Sequence, residues 1–223
     1  MRSHRFGFAV CLSAISLLTG CFFFNVGESG VRGSRVFKTE SRSVAGFSSI
    51  SFKSEGKVTI QQTGKESLTI RAEDNILPLL ESRVADRVLY LGTVNDTDID
   101  PTQPIEFALE VKTLEGLNII GVGSIEAKSI QTKRLAVSMR GVGNLAIAGS
   151  ADVLDLDLSG VGSYEGSAFK TKQTIVRSRG IGSAVVNASE QLDANLSGIG
   201  SVEYVGSPQV QKSVRGAGSV KQR

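Results

Sequence analysis

The chain has 223 residues, with 25 lysines and arginines against 22 aspartates and glutamates, one histidine and two cysteines. That near balance excludes general nucleic-acid affinity, which needs a strong basic excess. The length suits one domain or one elongated unit.

The chain opens Met1-Arg2-Ser3-His4-Arg5 and continues as an apolar run of thirteen residues, Phe6 to Leu18. Such a run is too short to span a bilayer but fits the apolar region of a secretory leader behind a basic start. Leu18-Thr19-Gly20-Cys21 resembles the lipobox of bacterial lipoproteins. It implies cleavage before Cys21, diacylglycerol on its thiol, and attachment to the membrane through that anchor. Phe22, not Asp, follows the cysteine, which implies the outer membrane. We therefore expect a leader over 1–20 and an anchor with a tether over 21–35, the glycine-rich and polar Asn25 to Ser34 forming the tether.

Removal of the leader takes away His4, Cys11, Arg2 and Arg5, and lipid consumes Cys21, leaving a side-chain balance of +1. No disulfide is then possible in a compartment that would allow one. Nor are there parts for a Ser-His-Asp triad, a Cys-His dyad or a typical zinc site. No cofactor, metal or nucleic-acid partner is expected.

Residues 36–116 read as irregular β turns. Phe47 to Phe52, Val58 to Ile60 behind Gly56, and Leu68 to Ile70 alternate as strands. Asn75 to Ser82, interrupted by Pro78, is a short helical or irregular excursion. Arg83 to Leu91 around Ala85-Asp86 is a hairpin. Asn95 to Pro104 is a polar loop before a strand from Ile105 to Val111. The loop carries Asp96, Asp98 and Asp100, half of a calcium-binding pattern. Pro101 and Phe107 stand where that pattern needs Gly and Glu, so a solvated loop is expected.

From 117 to 223 one string recurs: "IGVGS", "RGVGN", "SGVGS", "RGIGS", "SGIGS", "RGAGS". Its first glycines are Gly121, Gly141, Gly160, Gly180, Gly198 and Gly216, at intervals of 20, 19, 20, 18 and 18. Its second glycines are Gly123, Gly143, Gly162, Gly182, Gly200 and Gly218. A period near 20 with two-residue alternation, as in Val153-Leu154-Asp155-Leu156-Asp157-Leu158, predicts stacked β coils. Aliphatic columns stand two residues before the first glycine (Ile119, Met139, Leu158, Leu196), one after (Val122, Val142, Val161, Ile181, Ile199) and four after (Ile125, Leu145, Val202). They read as inward ladders of coils about 4.8 Å apart. The glycine pair reads as a corner. Six such pairs at regular spacing, none opening a helix, are not phosphate loops. A second, looser turn at Gly149-Ser150, Gly166-Ser167, Asn187-Ala188-Ser189 and Gly206-Ser207-Pro208 would give two short strands per coil.

The order of "GFSSISFKSEGKVTIQQTGKESLTIRAEDNILPLLESRV", "PIEFALEVKTLEGLNIIGVGSIEA" and the "LSGVGS" repeats resembles the putative auto-transporter adhesin, head GIN domain family, over residues 36–220. The resemblance implies an all-β, right-handed parallel β-helix-like solenoid on secreted or lipid-anchored envelope proteins. It brings no established ligand and no catalytic residues.

One residue before the first glycine, Arg140, Arg179 and Arg215 recur on every second coil and should face outward, about 9.6 Å apart, with Arg177 beside Arg179. Such a row suits an acidic polysaccharide or lipid phosphate. The plainer reading is a solvated face on which alternating Arg and Ser avoid stacked like charges. Asp152, Asp155 and Asp157 read as surface charge rather than a glycosidase pair. The expected function is a non-catalytic envelope lipoprotein that adheres to or binds an acidic glycan or an envelope protein. The alternatives are a β-helix enzyme acting on acidic polysaccharide, which needs acids and a base in one groove, and a structural scaffold.

Overall fold

The computed structural model describes residues 30–223, so the leader over 1–20 and the lipidation site Cys21 lie outside the described residues. The described chain is all-β and winds into a solenoid of about five turns spaced about 20 residues apart. Val122–Met139, Val142–Leu158, Val161–Ser178 and Ile181–Leu196 are four successive turns, each paired in parallel with the next. The last turn divides into Ile199–Val205 and Gln209–Val214, and Ala217–Gln222 stacks on the former.

Each coil supplies two faces. The first face stacks the strand segment that follows the glycine pair. The second stacks the segment that precedes it. At the N-terminal end both faces finish in antiparallel pairs. The second ends in the hairpin Leu80–Ala85 with Val88–Thr93. Its turn residues Asp86 and Arg87 have φ of 50° and 61°, the left-handed turn that matches strand twist. The first ends where Glu106–Val111 pairs antiparallel with Ser67–Glu73, which pairs antiparallel with Phe37–Arg42. The excursion around Pro78 is one 3-10 turn, Leu77–Leu79.

Phe107, Val58, Ile125, Leu145, Tyr164, Ala184, Val202 and Val220 form one buried ladder in register from end to end. Each large aliphatic in such a ladder contributes roughly 1.5–3 kcal/mol by burial. The column two before the glycine is also inward: Ile119, Met139, Ser178 and Leu196 are buried. The column one after it is not. Val122, Val142, Val161, Ile181 and Ile199 are 48–56% exposed. The strand resumes immediately after the corner, and alternation counted back from the inward Ile125 column puts the second glycine inward and this residue outward.

The glycine columns are set by backbone contact. Gly162 has φ 149°, and a Cβ built on it would fall 1.7 Å from the carbonyl oxygen of Gly143 on the neighbouring coil. On Gly160 it would fall 2.0 Å from that of Gly141. The expected second turn is mostly absent as a break. Gly149 and Gly166 lie inside long strands that turn through register shifts, at Ala146/Gly149 and Glu165/Lys170, so each coil is nearly one bent strand. Gly166 is inward and makes room for the Tyr164 ring, whose Cε1 would lie 2.5 Å from a Cβ there. Only Gly206-Ser207-Pro208 separates two strands.

The expected tether is held to the body over its last residues. Val31–Arg32 pairs in parallel with Ile99–Asp100, and the Arg35 N–H donates to Glu73 Oε1 at 2.8 Å. Glu73 is 1% exposed. It also accepts from the Thr102 hydroxyl at 2.6 Å and the Thr102 N–H at 3.0 Å. Burial pushes its carboxyl up, but these donors and the Arg35 charge outweigh burial and hold it below its ordinary value. At the other end, Lys212 stands in register over the buried Ala194 and donates to the Val220 carbonyl at 3.4 Å. A charge over the last core column discourages another coil or chain from stacking there.

Gly162→Val should destabilise the fold by roughly 3 kcal/mol or more, or prevent folding, and Ser163→Ala by under about 0.5 kcal/mol; urea unfolding separates them. Because Glu73 ionises more easily folded than unfolded, its stabilisation is complete above its unfolded value of about 4.3 and is lost as pH falls through the lower folded value. Hydrogen exchange on acidification should therefore release residues 30–36 in the native chain. In Glu73→Gln that acid-dependent release should disappear.

Candidate binding face

The outer surface of the second face carries an unbroken polar ladder. Tyr90, Ser51, Asn118, Ser138, Asp157, Arg177, Asn195 and Ser213 are stacked in register through eight strands. They are the outward counterparts of the buried Leu156 and the partly buried Leu158, so the alternation that fills the core also writes this row. Arg140, Arg179 and Arg215 stand two residues further along the chain, just past the ends of their strands, and all three are exposed.

The four arginines do not form a free basic row. Arg177 Nη1 donates to Asp155 Oδ1 and Arg179 Nη2 to Asp157 Oδ2, both at 2.5 Å, each reaching back to the coil before. Arg134 shares Asp155 at 3.3 Å. Arg140 donates to the Asn118 side-chain oxygen at 3.0 Å. The side chain of Arg215 makes no ion pair among the described residues. The cause is coil stacking: acidic and basic positions separated by one period become neighbours about 4.8 Å apart.

Two hollows lie along this face. Arg177, Arg179 and Arg215 converge with Asn195, Ser197 and Ser213 around one of about 270 Å³. Arg140, Asp155 and Asp157 join Tyr90, Asn118 and Ser138 around another of about 550 Å³. Three of the four expected arginines are thus brought together, and Arg140 is set apart with the aspartates. Sequence reasoning missed Tyr90, Asn118 and Asn195. The shared position of Asn118 and Asn195, three residues before the first glycine of a pair, was the available signal, but no glycine pair follows Tyr90. Asp157 Oδ1 is buried without a hydrogen-bond partner. Tyr90 is covered on one side by the Arg83 guanidinium, 4.6 Å from the ring centre.

The aspartates of the loop do not join these arginines. Asp96 pairs with Lys53 at 2.7 Å, and the backbone of Asp100 pairs with Arg32. Asp98 and Asp100 lie toward Glu55, whose carboxyl is pushed up by burial and then by these two charges. Among the described residues no group of three His, Cys, Asp or Glu side chains could hold a metal ion. The acids that do meet the arginines are Asp155 and Asp157. They pair with permanently charged guanidinium groups.

The sequence model of a family described as putative auto-transporter adhesin, head GIN domain, matches residues 46–208. Among solved structures, a putative adhesin from Bacteroides fragilis is 26% identical, with TM-score 0.73, covering 87% of this chain and all of its own. A putative adhesin from Parabacteroides distasonis is 19% identical (TM-score 0.56, 87% of this chain and 100% of that one). A putative lipid binding protein from the same species is 20% identical (TM-score 0.55, 86% and 99%). The last two establish likeness of fold alone. A comparison with curated proteins finds no match.

Because the arginines of these ion pairs are solvent-exposed, Arg179→Ala and Arg177→Ala should each leave the unfolding midpoint nearly unchanged. Urea unfolding checks this, and a larger loss would make the pairs part of the coil-to-coil adhesion.

Proposed function

We propose, from the premise that this chain belongs to the putative auto-transporter adhesin, head GIN domain family, that it is a non-catalytic binding module of the cell envelope. The family and the solenoid fold support an adhesin-like role. In this reading Cys21 carries the lipid that ties the chain to the outer membrane, and the solenoid is the rigid part that meets a ligand. The observation that carries it is the in-register polar ladder from Tyr90 to Ser213, which repeats hydrogen-bonding groups along one face. An extended polymer with regularly spaced hydroxyl and carboxylate groups matches such a row better than a compact small molecule does. An acidic glycan is the ligand class favoured by the hollow where Arg177, Arg179 and Arg215 converge. Asp155 and Asp157 occupy two of these arginines, so the ligand carboxylate meets Arg215 first.

The purified, unlipidated chain should bind uronic-acid polymers on a glycan array, with affinity falling as salt rises. Arg215→Ala should weaken binding about tenfold, and Arg140→Ala by under about threefold, the former corresponding to about 1.4 kcal/mol. Silence across acidic and neutral glycans would turn the reading toward an envelope protein as partner. Release of shortened products from the same polymers would overturn its non-catalytic part.

A further inference from the structure

At five successive corners the first face begins with an exposed branched aliphatic. Val122, Val142, Val161, Ile181 and Ile199 stack in register and are 48–56% exposed. Four coil steps of about 4.8 Å make a ridge about 19 Å long. Composition does not explain it. The equally outward column two residues on, from Ser124 to Ser201, is Ser, Asn, Ser, Ser and Ser. A contiguous apolar ridge with polar margins is a feature of an interaction surface.

Position indicates what covers it. The described chain starts at Gly30, where the Val31 N–H donates to the Asp98 carbonyl and the Gly33 N–H to that of Asp100, both at 2.9 Å. The next residues, Pro101 and Thr102, share a hollow with Val122 and Gly123, the head of the ridge. Only eight residues lie between Cys21 and Gly30, nine chain steps that reach at most about 30 Å. The preceding column alternates Arg140, Arg179 and Arg215 with Ser159 and Ser197, and Arg140 and Arg179 are engaged with Asn118 and Asp157 of the polar ladder, so that ladder and the ridge use different side chains. Five half-exposed side chains offer on the order of 400 Å², about half the surface that each partner buries in a stable protein interface. That area is small for a second copy and sufficient for shallow insertion beside an anchor.

We propose that this aliphatic ridge is a membrane-contact edge: it lays the rod along the lipid surface with the branched side chains in the interface. The inference rests on the reading of Cys21 as the lipid anchor, and it leaves the polar ladder of the other face turned to its ligand.

The native sequence contains no tryptophan, so single substitutions give clean probes. The chain from Cys21 onward is coupled through the Cys21 thiol to maleimide-headgroup lipid in phosphatidylethanolamine–phosphatidylglycerol vesicles containing brominated acyl chains. Val161→Trp and Ile181→Trp should shift emission to the blue and be quenched at least threefold more than Gln173→Trp, an exposed site away from the glycine corner. Adding Val122→Ser and Val142→Ser to Ile181→Trp should remove most of that quenching. Equal quenching at all three probes would overturn the proposal. So would a blue shift without vesicles together with a dimeric mass in sedimentation, which would give the ridge to a second copy. Chemical coupling supplies the anchor in either case, so the lipidation reading is tested separately, by the mass of the Cys21 peptide from membranes.

Discussion

The structure depends on the contact between successive glycine corners. The carbonyl of Gly143 fills the space that a side chain at Gly162 would need, and the same contact recurs from Gly56 under Gly123 to Gly200 under Gly218. This close approach fixes where each coil bends and holds the next coil in register. A shift of one residue would reverse every side chain on both faces. The glycine pair is therefore the registration device for the whole molecule, and the core ladders are its consequence.

Register turns a periodic sequence into rows, and each row has its own chemistry. Inward rows are aliphatic, with size changes absorbed between neighbours: Tyr164 stacks against Ala184 and borrows the space above Gly166. Outward on the second face, a polar row brings Asp157 beside Arg177 and Arg179. Outward at the corner, an aliphatic row lies open. A rod with a polar row and an apolar edge can orient itself between two different surroundings, which a uniformly polar solenoid would not do.

The ends are closed by different means. At the N-terminal end antiparallel strands saturate the two faces, and a strap over residues 31–35 is fixed by the buried Glu73. At the C-terminal end, Lys212 covers the last core column, and Lys221 and Arg223 pair with Glu203 at the edge. The proposed membrane edge and the strap begin at the same place, so the chain's entry point and its orientation are coupled.

The sequence by itself determined the solenoid, its period, the corner glycines and the inward rows at Ile125 and Ile119, because a spacing near 20 with two-residue alternation permits little else. It also placed the hairpin around Asp86 and the excursion at Pro78, since turn chemistry is local. It left the Val122 row on the wrong side, because alternation restarts at a corner and only the bend in space sets its phase. It marked Gly149 and Gly166 as turns, although bulges let one strand run through. The free basic row of Arg140, Arg177, Arg179 and Arg215 was legible as exposure but not as pairing. Asp155 and Arg177 are 22 residues apart, and only the stacking of one coil on the next makes them neighbours.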